Sequence, residues 1–486
     1  MNGNIFMNPC ENNTRQYVMR YFLSLRHCVS FVYIGTILVF DLISLNSIIM
    51  TVIVLGAGVD ATEGIGMPLT NELIPKINEF IQTEEGANIE RKLRSMLPSL
   101  RFHFDKFIKN TIDRIAQDFG REINSIRENV QEELRNNGRL SEEDQKMGRL
   151  VVAIMDKVSS LRSGAVLDEE TAQLIEELFG QTIRIDDETI VDFSKLVYTD
   201  TFKSVMRQIM ERSLSYPNNV ILRHVYHNLL DIEEILVKYF VGFYTGNIGS
   251  IKTYIYISWM LWSFMKVKEK EIYLTHADNL CNNLPIYSQI PANWKIITFN
   301  YSSFAHFFAA RNHETALYFH GNLMTHVDVY NKTELPINDS DYKDLNILSF
   351  FDEQLAPNLS FDDNNRKYMI PEFLPPMKIK PVLSRGFIKT WFEAEQAIKD
   401  ADKIIIVGYS FNHADEHFNG ILRECRDKTV FIIDPDIEKV IKRIEAIYYY
   451  VPSTYNTIYI QGHPAKKHDQ VTLINAKAHE INIQEL

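Results

Sequence analysis

The chain has 486 residues, 45% of them hydrophobic, and a formal net charge of −12. This length and apolar content predict two or three domains with a sizeable core, and the acidic balance argues against a general nucleic-acid-binding surface, which is normally basic. The four cysteines include no CxxC pair, so neither a zinc ribbon nor a redox dithiol is expected, and so few of them favour a reducing compartment, the cytoplasm.

Residues 1–49 form an unusually apolar N-terminal extension. Its longest uncharged apolar stretch, residues 28–40, ends at Asp41 and is too short to span a bilayer. No cleavage site of the usual small-residue kind follows it. Two expectations stay open. Either Met50 is the natural start and the upstream residues come from an over-extended gene model, or residues 1–49 are a packed or membrane-associated segment.

From Met50 onward the segment MTVIVLGAGVDATEGIGMPLTNEL predicts a strand, a glycine turn and a helix. Apolar residues then recur at helical spacing among many charges, which predicts a mostly helical insertion over residues 81–290. Strands return at WKIITFN, ALYFHGN, DKIIIVGYS and KTVFIIDPD, with a long irregular loop expected over residues 328–381 and a strand-like tail over residues 446–486. Strands that alternate with helices predict an α/β fold with a doubly wound parallel sheet.

The predicted strands end on residues that suit a ligand site. In open α/β sheets ligands bind at the carboxyl ends of the strands. The strand-end residues are Gly56, Ala57 and Gly58, then Asn300, His320, Gly408 with Ser410, and Asp434. Glycines here let backbone amides approach a phosphate, although they can also serve only to make the turn. Singly, an asparagine can cap a helix and a histidine can belong to the core; the joint order favours a site.

A hydride-transferring dinucleotide enzyme fits this order poorly. Such an enzyme usually shows a second strand soon after the glycine turn, ending in an acidic residue that binds the ribose. Here the chain enters the predicted helical insertion instead. The sequence therefore argues against a dehydrogenase.

The order of glycine turn, strand-Asn, strand-His-Gly, strand-Gly-Tyr-Ser and strand-Asp resembles the sirtuin domain. Within that class it is similar to the stand-alone sirtuin-like NADases of bacterial anti-phage defence. The resemblance covers residues 50–80 and about 291–436. It implies a Rossmann-like, sirtuin-type catalytic domain, placed here at residues 50–80 and 291–445, that binds NAD.

The resemblance assigns the NAD-binding residues one by one. Those that match its pattern are Gly56, Ala57 and Gly58 at the diphosphate, Gly408 and Ser410 at the ribose, and the strand-end Asp434. Asp60 stands where sirtuins usually have serine. Gly64 matches a Gly-Ile pair that precedes a proline, but Pro68 arrives two residues late.

The resemblance also implies the catalytic pair. The tetrapeptide 298–301, Thr-Phe-Asn-Tyr, is similar to the sirtuin Thr-Gln-Asn-Ile, with Asn300 as the catalytic asparagine, and His320 in YFHGN is similar to the catalytic histidine. Ser302 stands where an aspartate is usual. Asn300 would position a ribose hydroxyl or a water, and His320 would be the general base, in the hydrolysis of NAD to nicotinamide and ADP-ribose.

Other functions stay open at this point. Sirtuin deacylases usually carry a zinc module with paired CxxC ligands, and no cysteine lies between Cys281 and Cys425, so neither zinc nor deacylation is expected. The alternatives are an NAD-dependent protein deacylase or ADP-ribosyltransferase, and a non-catalytic module that senses NAD or ADP-ribose. The sequence leaves hydrolysis and cyclisation undecided.

An NADase that is always active would kill its host, so a gate is expected. The helical insertion is the expected oligomer surface of a homo-oligomer. The resemblance to defence systems implies a HerA-like ATPase or a phage-derived activator as partner. Stable nucleic-acid binding by this chain is not expected. The sequence gives neither the trigger nor the stoichiometry.

Overall fold

The structure is a computed structural model that describes residues 50–104, 106–136, 138, 140–159, 167–182, 191–192, 197–275, 284–309, 316–377, 379–451 and 454–486. The expectations for residues 1–49 fall outside the described residues. Within the described ranges, no helix combines the length and the apolar character needed to cross a membrane.

Fourteen strands occur in the described residues. In chain order they are β1 Thr51–Leu55, β2 Val191–Asp192, β3 Val197–Tyr198, β4 Lys295–Thr298, β5 Leu317–Tyr318, β6 Gly321–Asp328, β7 Thr333–Pro336, β8 Leu359–Ser360, β9 Lys367–Phe373, β10 Lys403–Val407, β11 Thr429–Asp434, β12 Asn456–Ile460, β13 His463–His468 and β14 Val471–Asn475.

The longer α-helices of the described residues are α1 Leu73–Ile81, α2 Glu84–Met96, α3 Phe107–Asp118, α4 Gly120–Asn136, α5 Glu142–Ser159, α6 Glu169–Phe179, α7 Asp200–Ser215, α8 Ile232–Phe240, α9 Ile248–Thr275, α10 Arg385–Asp400, α11 Glu416–Glu424 and α12 Ile437–Tyr448. Single helical turns lie at Ala57–Asp60, Leu222–Val225, Gly242–Thr245, Asp339–Tyr342 and Ile347–Phe350. Helices α1 to α9 thus all lie between β1 and β4 in the chain.

The largest sheet has eight strands in the order β12-β13-β14-β11-β10-β1-β4-β5. The six strands from β14 to β5 pair in parallel, whereas β12, β13 and β14 pair antiparallel at one side. All five residues of β1 are buried, as expected for a strand in the middle of a sheet that is covered on both faces. The predicted mixed α/β fold with a mainly parallel sheet is confirmed.

Successive side chains of a strand point to opposite faces, so the sheet separates two cores. Ile53 and Leu55 of β1 belong to a core that includes the helices α1 to α9. Val52 and Val54 belong to a second core, which α10, α11 and α12 close with their apolar faces. The residues that follow β1 are therefore held between two packed layers.

Helix α9 is the central helix of the first core. It has 28 residues, and most of its side chains between Ile251 and Val267 are buried. Trp259 Nε1 donates to the Met369 carbonyl at 3.0 Å, and Trp262 Nε1 donates to the Leu323 carbonyl at 2.8 Å. These bonds fix the helix to β9 and β6, because a buried indole N–H needs a partner.

The prediction of a long irregular loop over residues 328–381 is wrong. Strands β7, β6, β9 and β8 form an antiparallel sheet in that order, and two helical turns lie between β7 and β8. The prediction gave weight to local Pro and Asp residues, whereas these strands form through pairing between distant segments. The register of β6 and β9 shifts between Gly321 and His326, which accommodates Pro371 opposite His326.

Candidate active site

Four neighbouring parallel strands end at one edge of the large sheet. Leu55 at the end of β1 lies opposite both Thr298 of β4 and Val407 of β10. Thr298 in turn lies opposite Tyr318 at the end of β5. The predicted site residues that follow these strand ends are Gly56, Asn300, His320 and Gly408. Their common position is the edge of an open α/β sheet at which ligands bind.

The glycine turn after β1 packs backbone against backbone on the turn after β10. The Gly56 N–H donates to the Val407 carbonyl and the Gly58 N–H to the Gly408 carbonyl, each at 2.9 Å. A Cβ on Gly56 would lie 2.4 Å from the Gly408 oxygen, and a Cβ on Gly58 would lie 2.8 Å from Gly408 Cα. Gly408 also has φ +60°, which favours glycine. The three glycines therefore permit this approach, and two of their amides are already bonded within the protein.

Asn300 belongs to a buried polar cluster. The Tyr287 hydroxyl donates to one carboxylate oxygen of Asp60, and Ser302 Oγ donates to the other at 2.6 Å. Asn300 Nδ2 donates to the Tyr287 oxygen at 3.4 Å, while its backbone N–H donates to Thr298 Oγ1 at 3.1 Å. Asn300 is 6% exposed. Its carboxamide is thus oriented by Tyr287, whose hydroxyl is in turn held by Asp60.

Its buried environment makes Asp60 a weaker acid than an exposed aspartate. Burial raises the pKa of Asp60 from 3.8 to about 6, although the hydrogen bonds from Ser302 and Tyr287 oppose that shift. Burial disfavours the ionised form because the carboxylate loses its hydration. Asp60 therefore titrates far closer to neutral pH than an exposed aspartate does.

His320 forms a second buried cluster with Asp415. His320 Nε2 lies 2.8 Å from Asp415 Oδ1, and both side chains are at most 10% exposed. The Tyr409 hydroxyl donates to the other carboxylate oxygen of Asp415 at 3.3 Å. Lys380 Nζ lies 3.7 Å from Asp415 Oδ1 and is almost as deeply buried. The histidine is thus held through one ring nitrogen by a carboxylate that also faces a buried ammonium.

The two basic groups of this cluster, His320 and Lys380, both have pKa values below their ordinary ones. Burial lowers the pKa of His320, Lys380 lowers it further, and Asp415 opposes the shift. Burial likewise lowers the pKa of Lys380, against the pull of Asp415. Burial acts to raise the pKa of Asp415, but His320, Lys380 and Tyr409 together hold it below its ordinary value. His320 is therefore neutral and Asp415 ionised at neutral pH.

Phe299, which directly precedes Asn300 in the chain, is in direct contact with the His320 cluster. Its ring stacks on Tyr409 with centroids 4.3 Å apart and meets His320 edge to face at 4.8 Å. Its N–H donates to the Leu55 carbonyl at 2.8 Å. Since Asn300 is the next residue, this fixed ring sets the position of the asparagine relative to the histidine.

A third polar cluster supports the loop after Asn300 from the side of helix α9. Glu269, fully buried, accepts hydrogen bonds from the Ser303 N–H at 2.5 Å and the Tyr342 hydroxyl at 2.6 Å. Lys266 Nζ lies 3.7 Å from Glu269 and 3.5 Å from the centre of the Tyr342 ring. Helix α9 thus binds, through Glu269, the backbone N–H of Ser303, three residues after Asn300.

The other predicted site residues lie around these clusters. Ala57 and Ser410 are exposed at the sheet edge, and the Ser410 carbonyl accepts a bond from Arg443. Asp434 at the end of β11 accepts from the Asp436 N–H at 2.8 Å, and burial raises its pKa. The remaining two, Gly64 and Pro68, lie in the loop after the turn Ala57–Asp60, Gly64 with φ +92°.

Sequence analysis missed four residues of these clusters. Tyr287, Lys380, Glu269 and Asp415 do not stand at strand ends and match no motif. Only Asp415 gave a signal, since it lies in the polar stretch GYSFNHADEHF after β10. Tyr287 and Glu269 fall in the segment predicted as helical insertion, so their contacts with the sheet edge depend on tertiary packing.

No group of three or more His, Cys, Asp or Glu side chains that could hold a metal occurs among the described residues. No protein-family model and no curated protein matches the chain. A solved structure described as "The Structural basis of Sirtuin Substrate Affinity" is 14% identical, with a TM-score of 0.26 over 46% of this chain and 79% of its own. That similarity is too weak to establish a shared fold or function.

Proposed function

We propose that this chain is an NAD glycohydrolase, which converts NAD and water to nicotinamide and ADP-ribose. The observation that carries the proposal is the pair Asn300 and His320. They follow the adjacent parallel strands β4 and β5, each is at most 8% exposed, and each is held by its own buried polar cluster. A carboxamide and a basic imidazole held just beyond the ends of two adjacent strands suit the activation of a sugar carbon and a water.

In the proposed reaction, the bond between nicotinamide and the ribose carbon breaks, and its electron pair leaves with nicotinamide. Positive charge develops on the ribose, and the oxygen of a water forms the new bond to that carbon. Asn300 orients a ribose hydroxyl or the water through its carboxamide. His320 takes the proton that the water loses and passes it to solvent.

The electrostatics of His320 support its role as the base. A general base must be unprotonated when the substrate binds, and burial together with Lys380 lowers the His320 pKa. Asp415 accepts a hydrogen bond from Nε2–H and so leaves the lone pair of the other ring nitrogen, Nδ1, to receive a proton. This single hydrogen bond gives the imidazole both a fixed orientation and a defined basic nitrogen.

Most of the proposed NAD-binding residues lie at the same ends of neighbouring parallel strands. Ala57 and Ser410 are exposed where the loops after β1 and β10 meet, which supports their contact with the diphosphate and a ribose. Gly56, Gly58 and Gly408 permit the close contact of those loops, and Asp434 is the last residue of the next strand, β11. Asp60 reaches Asn300 through Tyr287 rather than facing the exposed edge.

The test is to incubate the purified chain with NAD, with and without an acetyl-lysine peptide, and to separate the products by chromatography. Asn300→Ala and His320→Ala are expected to lower turnover by at least about 10²-fold each, the lower range for one acid–base or positioning group. Asn456→Ala on β12 and His463→Ala on β13 are matched controls outside the site and should keep normal turnover.

The products distinguish the alternatives. Nicotinamide and ADP-ribose without peptide support the proposal, cyclic ADP-ribose indicates cyclisation, and turnover only with peptide indicates a deacylase. Transfer of ADP-ribose to protein indicates a transferase. If calorimetry detects NAD binding but no arm gives turnover, the chain is a gated enzyme or a sensing module, and NAD depletion on activation in cells separates the two. Normal cleavage by His320→Ala would remove the proposed base.

The cellular role we propose is NAD depletion in bacterial anti-phage defence, through the family resemblance of the sequence. Such an activity needs a gate, so we propose a homo-oligomer and an activator, a HerA-like ATPase or a phage component. Measuring cellular NAD in a host that expresses the chain, before and after phage challenge, tests this role. Unchanged NAD on challenge, with His320→Ala as reference, contradicts it.

A further inference from the structure

The Asp415 carboxylate is committed to side chains rather than to the backbone. Asp415 directly precedes helix α11, a position where an aspartate commonly caps the first turn. Its side chain makes no capping hydrogen bond there. Its two oxygens instead meet His320, Tyr409 and Lys380. The only neighbours that orient this carboxylate in the described residues are therefore functional groups of the His320 cluster.

We propose that Asp415 and Lys380 are positioning residues that set the tautomer and the basicity of His320, with Nε2–H bonded to Asp415 and Nδ1 as the reactive base. The proposal rests on the proposed function, because it assigns how the same histidine works. It adds two residues that the family resemblance does not assign. Neither is required to touch the substrate.

The charges of the cluster predict opposite effects for its two partners. An anion 2.8 Å from the imidazole stabilises the protonated ring, so removing Asp415 lowers the His320 pKa. A nearby buried ammonium destabilises the protonated ring, so removing Lys380 raises it. Two further groups act on the cluster from other elements: the Tyr409 hydroxyl bonded to Asp415, and Glu233 of helix α8, whose charge acts on Lys380.

The kinetic test is the pH dependence of kcat/KM for NAD cleavage, whose acidic limb reports the free enzyme's essential base. Asp415→Asn should lower kcat/KM by up to about 10⁴-fold, the loss found when an aspartate that orients a catalytic histidine becomes asparagine, and move the limb to lower pH. Lys380→Met should move the limb to higher pH. A purely structural role would not give shifts of opposite sign.

The matched control is Glu416→Gln. Glu416 is the next residue, exposed and paired with Arg423 at the surface, so its loss should leave the limb unchanged. Asp415→Asn leaves the buried ammonium of Lys380 without its counter-charge. If that variant fails to fold for this reason, the double variant Asp415→Asn/Lys380→Met, which removes both charges, takes its place. Limbs that shift together, or not at all, overturn the proposal.

A second measurement does not depend on activity. In protein labelled with ¹⁵N-histidine, the signal lost in His320→Gln identifies this residue among the 14 histidines. The expected signal is the Nε2–H tautomer, lost or weakened in Asp415→Asn. An Nδ1–H tautomer in the unmodified chain overturns the inference. The expected tautomer with no NAD cleavage would instead count against the proposed function alone.

Discussion

Glu269→Gln is the substitution that best tests how the fold supports the site. Glu269 is fully buried in helix α9 and accepts charge-assisted bonds from the Ser303 N–H and the Tyr342 hydroxyl. It is also the carboxylate that faces the buried ammonium of Lys266 at 3.7 Å. Glutamine keeps the size of the side chain but removes the charge and turns amide hydrogens toward one of these neighbours.

The expected cost follows from these contacts. A hydrogen bond to a charged group contributes about 1.5–3 kcal/mol and a neutral one about 1 kcal/mol. Replacing the charged acceptor by a neutral one therefore loses about 0.5–2 kcal/mol for each bond, or about 1–4 kcal/mol for the two bonds together. Leaving Lys266 without its counter-charge raises the total to about 3–5 kcal/mol, the range for breaking a buried ion pair. Because burial already lowers the pKa of Lys266, the lysine can lose its proton in the variant, which keeps the cost near about 3 kcal/mol.

Urea and thermal unfolding of the full chain, followed by circular dichroism, measure this loss. Glu271→Gln is the matched control, because Glu271 lies two residues further on in an exposed pair with Lys268 and should cost at most about 1 kcal/mol. The loss of unfolding free energy in Glu269→Gln should shrink as pH rises toward about 10. In that range the folded variant has released the Lys266 proton while the unfolded chain still binds it, so rising pH stabilises the folded variant. A cost no larger than that of the control, or one independent of pH, would refute this account.

The other predictions concern the sheet edge. Gly408→Ala should destabilise the protein more than Gly66→Ala: both glycines have positive φ, but a Cβ on Gly408 would lie 2.7 Å from Gly58 Cα, whereas one on Gly66 meets nothing within 4 Å. Equal thermal midpoints would contradict this. Asp60→Asn should flatten the pH dependence of stability between 3.8 and about 6, where the folded chain binds the extra proton and therefore loses about 3 kcal/mol as pH rises. An unchanged slope in urea titrations across this window would show that Asp60 is not the titrating group.

The parallel strands were the most predictable part of the fold. Runs such as those of β1 and β10 consist almost entirely of valine, isoleucine and leucine after their first residue, which is typical of strands buried on both faces. Their order in the sheet could not be read from the sequence, because it depends on pairings such as β1 with both β10 and β4 across long chain separations. The antiparallel sheet of β6 to β9 was missed for the same reason.

The site was predictable only where it follows strand ends. Strand-end residues gave Asn300 and His320 as candidates, but the same reasoning does not explain why one histidine and not another is suited to catalysis. His326 is also buried, yet it stacks on Trp259 with centroids 5.1 Å apart, and burial lowers its pKa to about 3. His320 differs because Asp415, 95 residues away in the chain, bonds its ring.

Two of the three polar clusters show that the long segment between β1 and β4 does more than cover the sheet. Tyr287 from the end of that segment connects Asp60 to the side chain of Asn300, and Glu269 from helix α9 binds the backbone of Ser303. The loop that carries Asn300 is thus held from two directions by residues outside the sheet.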